Sequence, residues 1–231
     1  MIIYYIPLIF LSCLTFLESR NRISFTKNKY LYFLTFLLLT FFIGFRNEIG
    51  CDWDGYLENF ASVNLKSWDT LFSQYYKGSY NQVYDIGYTL IIKILSYKFN
   101  FHLIILILSF FFTTPLFIFC AQLKRRYLAL TISYPYFIVV IGMGPIRQAI
   151  SIAFLMLCII CISNKNFNKF LLLNIFSSLF HSSAIIFSSL LIVFIDSIKK
   201  RINIFIGLFL GLILMLLTFY SYESIIYRIT E

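Results

Sequence analysis

The sequence predicts an all-α, polytopic integral membrane protein with about six transmembrane helices, a re-entrant hairpin and an outer-face loop. Three observations predict this fold class. The 231 residues are 60% hydrophobic and 13% charged, whereas a soluble domain contains about 25% charged residues. The mean hydropathy is +0.84. Apolar runs also alternate with short clusters of Lys and Arg, which is typical of chains that cross a membrane several times.

Six apolar runs are candidate spans, and together they predict a single transmembrane domain over residues 1–231. They are residues 2–17, 30–45, 101–123, 127–146, 147–164 and 202–222. A span needs about 20 apolar residues, so the first two are short. The first run has no basic n-region and no small-residue cleavage site, and we therefore expect a retained span rather than a removed signal peptide.

The charges of the loops orient these spans. Basic clusters follow the first, third and fifth spans, at residues 20–29, 124–126 and 165–169. Placing all three clusters in the cytoplasm puts the N-terminus outside and makes residues 46–85 an extracytoplasmic loop. That loop contains six of the ten acidic residues and three basic ones, a net charge of −3 against +12 for the rest of the chain. The overall charge of +9 therefore reflects membrane orientation, and we expect no nucleic-acid partner.

The outer loop is too long for a simple connector and contains both tryptophans of the chain. Ser67 predicts the N-cap of a short helix within it. The residues that would share one face of this helix are Trp68, Leu71, Phe72 and Tyr75. We expect this helix to lie on the outer leaflet of the bilayer.

Two segments do not fit simple spans. Residues 86–99 are short and carry Lys93 and Lys98, and a crossing there would place the next basic cluster outside. They predict a half-inserted or membrane-surface helix. Residues 170–195 are uncharged except for His181, and basic residues flank them on both sides. Both ends therefore favour the cytoplasm, which predicts a re-entrant hairpin with His181 near its apex and a cavity beside it.

This topology gathers ionisable residues at the outer mouth of the helix bundle. Arg46 begins the outer loop, and Asp52 and Asp54 follow it closely. Arg147 lies at the outer turn between two spans, where a cation opposes the dipole of the helix that it begins. His181 faces the same side if the hairpin prediction holds. Ionisable groups at a membrane boundary are costly to hold there without a function.

Each of these residues also has a structural explanation that the sequence leaves open. Arg46 can extend to lipid phosphates, Asp52 and Asp54 can simply solvate a loop, and His181 can be a buried histidine with satisfied hydrogen bonds. The aromatic residues of the outer loop can form an interfacial belt. They are Trp53, Tyr56, Trp68, Tyr75, Tyr76, Tyr80 and Tyr84.

The cysteines and histidines predict neither a disulfide framework nor a metal site. Cys158 and Cys161 have the spacing of half a metal or redox site, but they lie in an apolar run without a second pair. We interpret them as small apolar residues that face lipid or another helix. His102 stands alone at a helix start, and His181 has no second ligand at helical spacing.

Four motifs occur in order along this hydropathy frame. They are Phe45-Arg46 with Gly50-Cys51-Asp52 and Tyr56, then Asp85-Ile86-Gly87-Tyr88, then Ile146-Arg147-Gln148-Ala149-Ile150, and finally Phe180-His181-Ser182-Ser183-Ala184. On these motifs the chain resembles the EpsG-like, Wzy-type family of bacterial exopolysaccharide (O-antigen-like) polymerases over roughly residues 30–195.

The resemblance implies a glycosyltransferase of the bacterial cytoplasmic membrane. Such an enzyme would join oligosaccharide repeat units, carried on polyprenyl diphosphate, into a surface polysaccharide at the outer face. A flippase and a chain-length regulator of the same pathway would be its partners. The scheme requires no divalent metal and no cofactor.

The resemblance also implies roles for the candidate residues. Arg46 and Arg147 would stabilise the diphosphate leaving group, because the planar guanidinium binds phosphate oxygens with two donors. Asp52 or His181 would act as base for the acceptor hydroxyl. The remaining candidates for substrate binding are Trp53, Asp54, Tyr56, Tyr84 and Gln148.

Members of that family usually run longer, with further spans after the matched region. We therefore expect a short variant, a truncated product, or a chain that needs a partner. Two other functions stay open: a transporter or flippase for a lipid-linked saccharide or anionic solute, and a non-catalytic subunit of the assembly machinery. A transporter would typically show inverted repeats and charges at mid-membrane, and the sequence shows neither.

Overall fold

The structure, a computed structural model, describes residues 2–20, 28–71 and 85–194, and every regular element in these ranges is helical. The elements are a single 3₁₀ turn at Ile2–Tyr4, α1 (Tyr5–Ser19), α2 (Lys29–Gly44), α3 (Trp53–Leu65), α4 (Ile86–Leu95), α5 (Phe101–Ala121), α6 (Arg126–Ser133), a π-helix (Tyr134–Ile141), α7 (Ile146–Ser163), α8 (Phe167–Phe180) and a 3₁₀ helix (Ser182–Phe194). The predicted all-α fold is therefore confirmed for the described part of the chain.

Two of the described helices, α5 and α7, are long and apolar enough to cross a membrane, judged by length and composition alone. The other apolar helices in the same ranges are shorter than a full span. Six crossings and an outward N-terminus therefore stay predictions. The predicted span at 202–222 lies outside the described residues.

The predicted run at 127–146 forms one helix that changes its winding. Residues 126–133 are α-helical, and the chain continues as a π-helix from Tyr134 to Ile141. Pro135 is the second residue of the π segment, and proline has no N–H to donate within an α-helix. The wider π winding occurs where the regular α hydrogen-bond ladder is interrupted.

Side-chain caps explain where three of the helices begin. The amide oxygens of Asn100 and Asn166 accept hydrogen bonds from backbone N–H groups in the first turns of α5 and α8. The first turn of α6 is capped from a distant part of the chain. Glu18, in the last turn of α1, accepts bonds from the N–H groups of Arg126 (3.0 Å) and Leu128 (3.4 Å).

Small polar residues join the apolar helices to one another. The hydroxyls of Thr40 on α2 and Thr113 on α5 lie 2.7 Å apart. The hydroxyls of Ser151 on α7 and Ser177 on α8 lie 2.9 Å apart. In a lipid environment, small residues of this kind let helices approach closely and bond across the interface.

Residues 167–194 double back at His181. Helix α8 ends at Phe180, and His181 is extended, with φ −155° and ψ 116°. The following 3₁₀ helix packs along α8, and Ser188 Oγ lies 3.5 Å from Asn174 Oδ1. The chain therefore turns at the predicted apex. Entry and exit on one side of a membrane stays a prediction.

Residues 86–99 contain α4, which packs against both α3 and α8. A Cβ atom at Gly87 would lie 2.8 Å from the carbonyl oxygen of Leu179, so only glycine allows this approach between α4 and α8. Lys93 is 3% exposed, and its ammonium group donates to the carbonyls of Val63, Asn64 and Lys66. The apolar helix α4 thus carries a lysine that satisfies carbonyl groups at the end of α3.

Helix α3 was not expected from the sequence, which indicated a helix only after Ser67. Ser67 Oγ does accept a bond from the N–H of Thr70 (3.3 Å), as a cap would. Trp68 is 37% exposed, whereas Leu71 is buried. The remainder of that predicted helix, including Phe72 and Tyr75, lies outside the described residues.

Candidate functional site

A cavity of about 160 Å³ lies where the ends of four helices meet. Its lining comes from the start of α3, the residue before α4, the first turn of α7 and the residue after α8. The lining residues are Asp52, Tyr56, Asp85, Pro145, Arg147, Gln148 and His181.

Asp85 connects three elements within this cavity. Its Oδ2 accepts a hydrogen bond from Arg147 Nη1 at 3.1 Å and lies 4.0 Å from His181 Nδ1. Its Oδ1 accepts the backbone N–H of Ser182 at 3.2 Å. Asp85 directly precedes α4 but makes no capping bond to it, so the carboxylate is directed to α7 and to the turn after α8.

Arg147 is held at the first turn of α7. Pro145 precedes the helix with φ −75° and ψ 76°, and the N–H of Ile146 bonds to the oxygen of Gly144 at 2.9 Å. These values describe an inverse γ-turn, which ends the preceding loop sharply. The guanidinium carbon of Arg147 lies 5.7 Å from the ring centre of Tyr56 and 5.8 Å from that of Tyr88. Both separations are within the range of cation–π attraction.

Tyr56 and Asp52 form the α3 side of the cavity. The Tyr56 hydroxyl donates to Asp52 Oδ2 at 3.3 Å, one helical turn away. Burial raises the pKa of Tyr56 to about 12, against the opposing effect of the Arg147 charge. The hydroxyl therefore keeps its proton at neutral pH and remains a hydrogen-bond donor.

Arg46 lies next to the cavity but does not line it. Its side chain is 3% exposed, and Nη1 donates to the carbonyl oxygen of Gly142 at 3.0 Å. The guanidinium carbon is 5.9 Å from the ring centre of Trp53. Burial lowers the pKa of Arg46 to about 10, which still leaves a cation at neutral pH. The positive charge also interacts favourably with the C-terminal end of the π-helix, which lies directly before Gly142.

Residues 46–50 contact the loop that precedes α7. Gly50 has φ +109°, a conformation that side chains rarely permit, and a Cβ atom there would overlap the oxygen of Met143. Arg46 bonds to the same loop at Gly142. Residues 46–50 therefore fix the loop that leads directly into the first turn of α7.

The structure thus brings together five of the nine predicted site residues around one cavity: Asp52, Tyr56, Arg147, Gln148 and His181. Trp53 is 5% exposed and packs against Phe101, with ring centres 5.1 Å apart. Asp54 is exposed and does not line the cavity. Tyr84 lies outside the described residues.

Sequence reasoning did not select Asp85 as a site residue. A signal was available, because Asp85 begins one of the four motifs and directly precedes a helix. A cation at a helix start, such as Arg147, also requires a nearby anion.

No group of three or more His, Cys, Asp or Glu residues in ranges 2–20, 28–71 and 85–194 is arranged to hold a metal ion. Cys158 and Cys161 are buried in the contact between α7, α8 and the 3₁₀ helix, and Cys158 Sγ lies 3.8 Å from the oxygen of Phe170. Their surroundings are apolar, as for small core residues.

A sequence model of the EpsG family matches residues 29–230, which is most of the chain. No curated protein and no solved structure shows significant similarity to this chain.

Proposed function

The chain belongs to the EpsG family, and on that premise we propose that it polymerises lipid-linked oligosaccharide repeat units into a surface polysaccharide. The family membership and the apolar helices indicate a membrane protein of polysaccharide biosynthesis. The finer proposal is a glycosyltransferase at the outer face of the bacterial cytoplasmic membrane, with the N-terminus outside. Its substrate is an oligosaccharide on polyprenyl diphosphate, and a flippase and a chain-length regulator act in the same pathway.

The observation that carries the proposal is the position of Arg147 in a small cavity with His181 and two carboxylates. Glycosyl transfer from a lipid diphosphate releases a diphosphate anion, and a guanidinium stabilises the charge that develops on it. Arg147 is partly exposed in this cavity, so its side chain is accessible to such an anion.

In the proposed reaction, the hydroxyl oxygen of the acceptor sugar attacks the anomeric carbon of the donor. The bond from that carbon to the diphosphate oxygen breaks, and the diphosphate takes the electron pair toward Arg147. The hydroxyl proton passes to His181 or Asp52, both of which line the same cavity. Tyr56 and Gln148 are placed to hydrogen-bond substrate oxygens.

Four candidates receive other roles, or none. We assign Arg46 to positioning the loop before α7, because its side chain is buried and bonded to that loop. The ring of Trp53 lies 5.9 Å from the Arg46 guanidinium carbon, and we assign Trp53 to supporting Arg46. Asp54 and Tyr84 remain substrate-binding predictions without a contact that supports them.

The experiment is deletion of the gene in its native host, with surface polysaccharide separated on a gel. Loss of long chains, with single repeat units retained on lipid or acceptor, is the expected result. Wild type and Arg125→Lys should restore the long chains, and Arg147→Lys should not, because lysine keeps the charge but loses the planar fork. Arg125 is the matched control, an exposed arginine at the start of α6.

An unchanged ladder after deletion would exclude polymerisation by this chain. Accumulation of repeat units on the cytoplasmic side would instead identify a flippase. Full rescue by Arg147→Lys would show that the planar group of Arg147 is not needed to stabilise the leaving group.

A further inference from the structure

The arginine of the cavity is not free to bind a diphosphate directly. Among the described lining residues, Asp52 and Asp85 are carboxylates and Arg147 is the arginine, while the buried Arg46 lies beside the cavity and its charge acts on Asp52. Arg147 is already ion-paired, at 3.1 Å, with Asp85. An anion that enters this cavity must therefore compete with a carboxylate for Arg147.

The carboxylate of Asp85 has a second partner within reach. The oxygen that accepts from Arg147, Oδ2, is also the atom that lies 4.0 Å from His181 Nδ1. That separation exceeds a hydrogen bond by about 1 Å. The other oxygen, Oδ1, stays attached to the N–H of Ser182, next to His181 in the chain. Rotation about this anchor can thus bring Oδ2 from Arg147 to His181.

Resting on the proposed function, we propose that Asp85 is a positioning residue that is exchanged between Arg147 and His181. In the substrate-free site it occupies Arg147. When the diphosphate of the lipid-linked substrate pairs with Arg147, the Asp85 carboxylate accepts a hydrogen bond from His181 Nδ1. A histidine that donates through one nitrogen presents the other as a base, which places proton acceptance only in the substrate-bound site.

Binding of inorganic pyrophosphate tests this exchange without requiring catalysis. The full chain in lipid nanodiscs is titrated by calorimetry at a fixed neutral pH, with a chelator present to exclude binding through a divalent metal. Asp85→Asn removes the competing charge, so it should bind pyrophosphate about fivefold more tightly than wild type, the effect of losing one partly exposed ion pair. Arg147→Gln should abolish binding.

Glu58→Gln is the matched control. It removes the same charge from an exposed position outside the cavity, and its affinity should stay within about twofold of wild type. Asp85→Ser is a second variant, which keeps a hydroxyl near the N–H of Ser182 and should also bind more tightly. A purely structural role for Asp85 would weaken pyrophosphate binding in both variants.

The exchange also predicts how substitutions at Asp85 and His181 affect polymer formation. Asp85→Asn should make no long chains in the deletion strain although it binds pyrophosphate more tightly, and His181→Ala should make none and bind pyrophosphate more weakly, because the displaced Asp85 loses its new partner. Equal or weaker pyrophosphate binding by both Asp85 variants would overturn the exchange. The proposed polymerase activity fails separately, through an unchanged ladder after gene deletion, whatever the pyrophosphate affinities are.

Discussion

Arg147 Nη1 lies 3.1 Å from Asp85 Oδ2, across 62 positions of sequence. The bond joins the first turn of α7 to the residue before α4. The same carboxylate reaches the turn after α8 through the N–H of Ser182. Three segments that are distant in the sequence therefore meet at one side chain.

Arg46 and Arg147 should respond differently to the same substitution. Arg46→Lys loses the bond to Gly142 and the contact with the Trp53 ring, because lysine has neither the reach nor the planar group. The loss of a buried bond to a charged group costs about 1.5–3 kcal/mol. We expect a lower melting temperature in detergent and reduced membrane abundance.

Arg147→Lys is the comparison, and should melt like wild type while making no polymer. If Arg46→Lys were as stable and abundant as wild type but made no polymer, Arg46 would act on the substrate directly, as its position in the sequence predicted.

Gly50→Ala should disrupt the contact between residues 46–50 and the loop that precedes α7. Alanine strongly disfavours φ +109°, and its Cβ would overlap the Met143 oxygen. Strain of this kind costs about 1–3 kcal/mol. We expect a lower melting temperature and loss of polymer, measured beside Asn47→Ala, an exposed change in the same loop. Equal melting temperatures and equal polymer formation in the two variants would show that this contact between the loops has no role.

Lys93→Met tests the lysine that is buried under α3. The change removes three hydrogen bonds to carbonyls of Val63, Asn64 and Lys66 while keeping the length of the side chain. The Val63 carbonyl would remain buried without that donor, while the bonds to Asn64 and Lys66 are partly buried, so destabilisation of about 1–3 kcal/mol is expected. The measurement is thermal unfolding followed by loss of monodisperse protein. Lys98→Met, an exposed change at the end of the same segment, should leave it unaltered.

Hydropathy predicted much of the fold because helix length and apolar content are local properties. The runs at 101–123 and 147–164 coincide closely with α5 and α7. The π-helix was not predicted, because its winding depends on how Pro135 is accommodated by neighbouring helices. Helix α3 was missed because charged and aromatic residues obscure its apolar period. Lys93, which the sequence placed on a half-inserted or membrane-surface helix, is buried and bonds to carbonyls at the end of α3.

The candidate site was only partly predictable, since sequence order does not decide which carboxylate reaches which cation. Asp52 and Asp54 were selected for their proximity to Arg46 in the chain. The ion pair of Arg147 is made by Asp85 instead, which the contact between α4 and α8 at Gly87 brings into place. Packing also buries Arg46, whereas a residue at the end of an apolar run is expected to reach solvent.

The reactivity of the Cys51 thiol can be used to test the position of the Asp52 carboxylate. A hydrogen bond from the thiol to Asp52, together with the negative charge, raises the pKa of Cys51 above its usual range. The thiolate is the reactive form, so Asp52→Asn should lower this pKa and speed alkylation by a maleimide several-fold at constant, mildly alkaline pH. Asp54→Asn is the control and should leave the rate unchanged, with Cys13 replaced by Ser throughout. A slower reaction in Asp52→Asn would mean that the carboxylate does not face the thiol.

The orientation of α7 can be tested at its two ends. The helix has 18 residues and is about 27 Å long at 1.5 Å per residue, close to the thickness of the hydrocarbon core. His181 lies beside the Arg147 end through Asp85, and Ser163 closes the other end. If α7 crosses the membrane, cysteines at positions 181 and 163 must therefore lie on opposite sides.

With Cys13 and Cys51 replaced by Ser, an impermeant thiol reagent added to intact cells should label His181→Cys. It should label Ser163→Cys only after permeabilisation. The reversed pattern would invert the orientation predicted from the basic clusters and place the cavity in the cytoplasm. Labelling of both variants in intact cells would show that α7 does not cross the membrane. The predicted location of the cavity at the outer face would then be wrong as well.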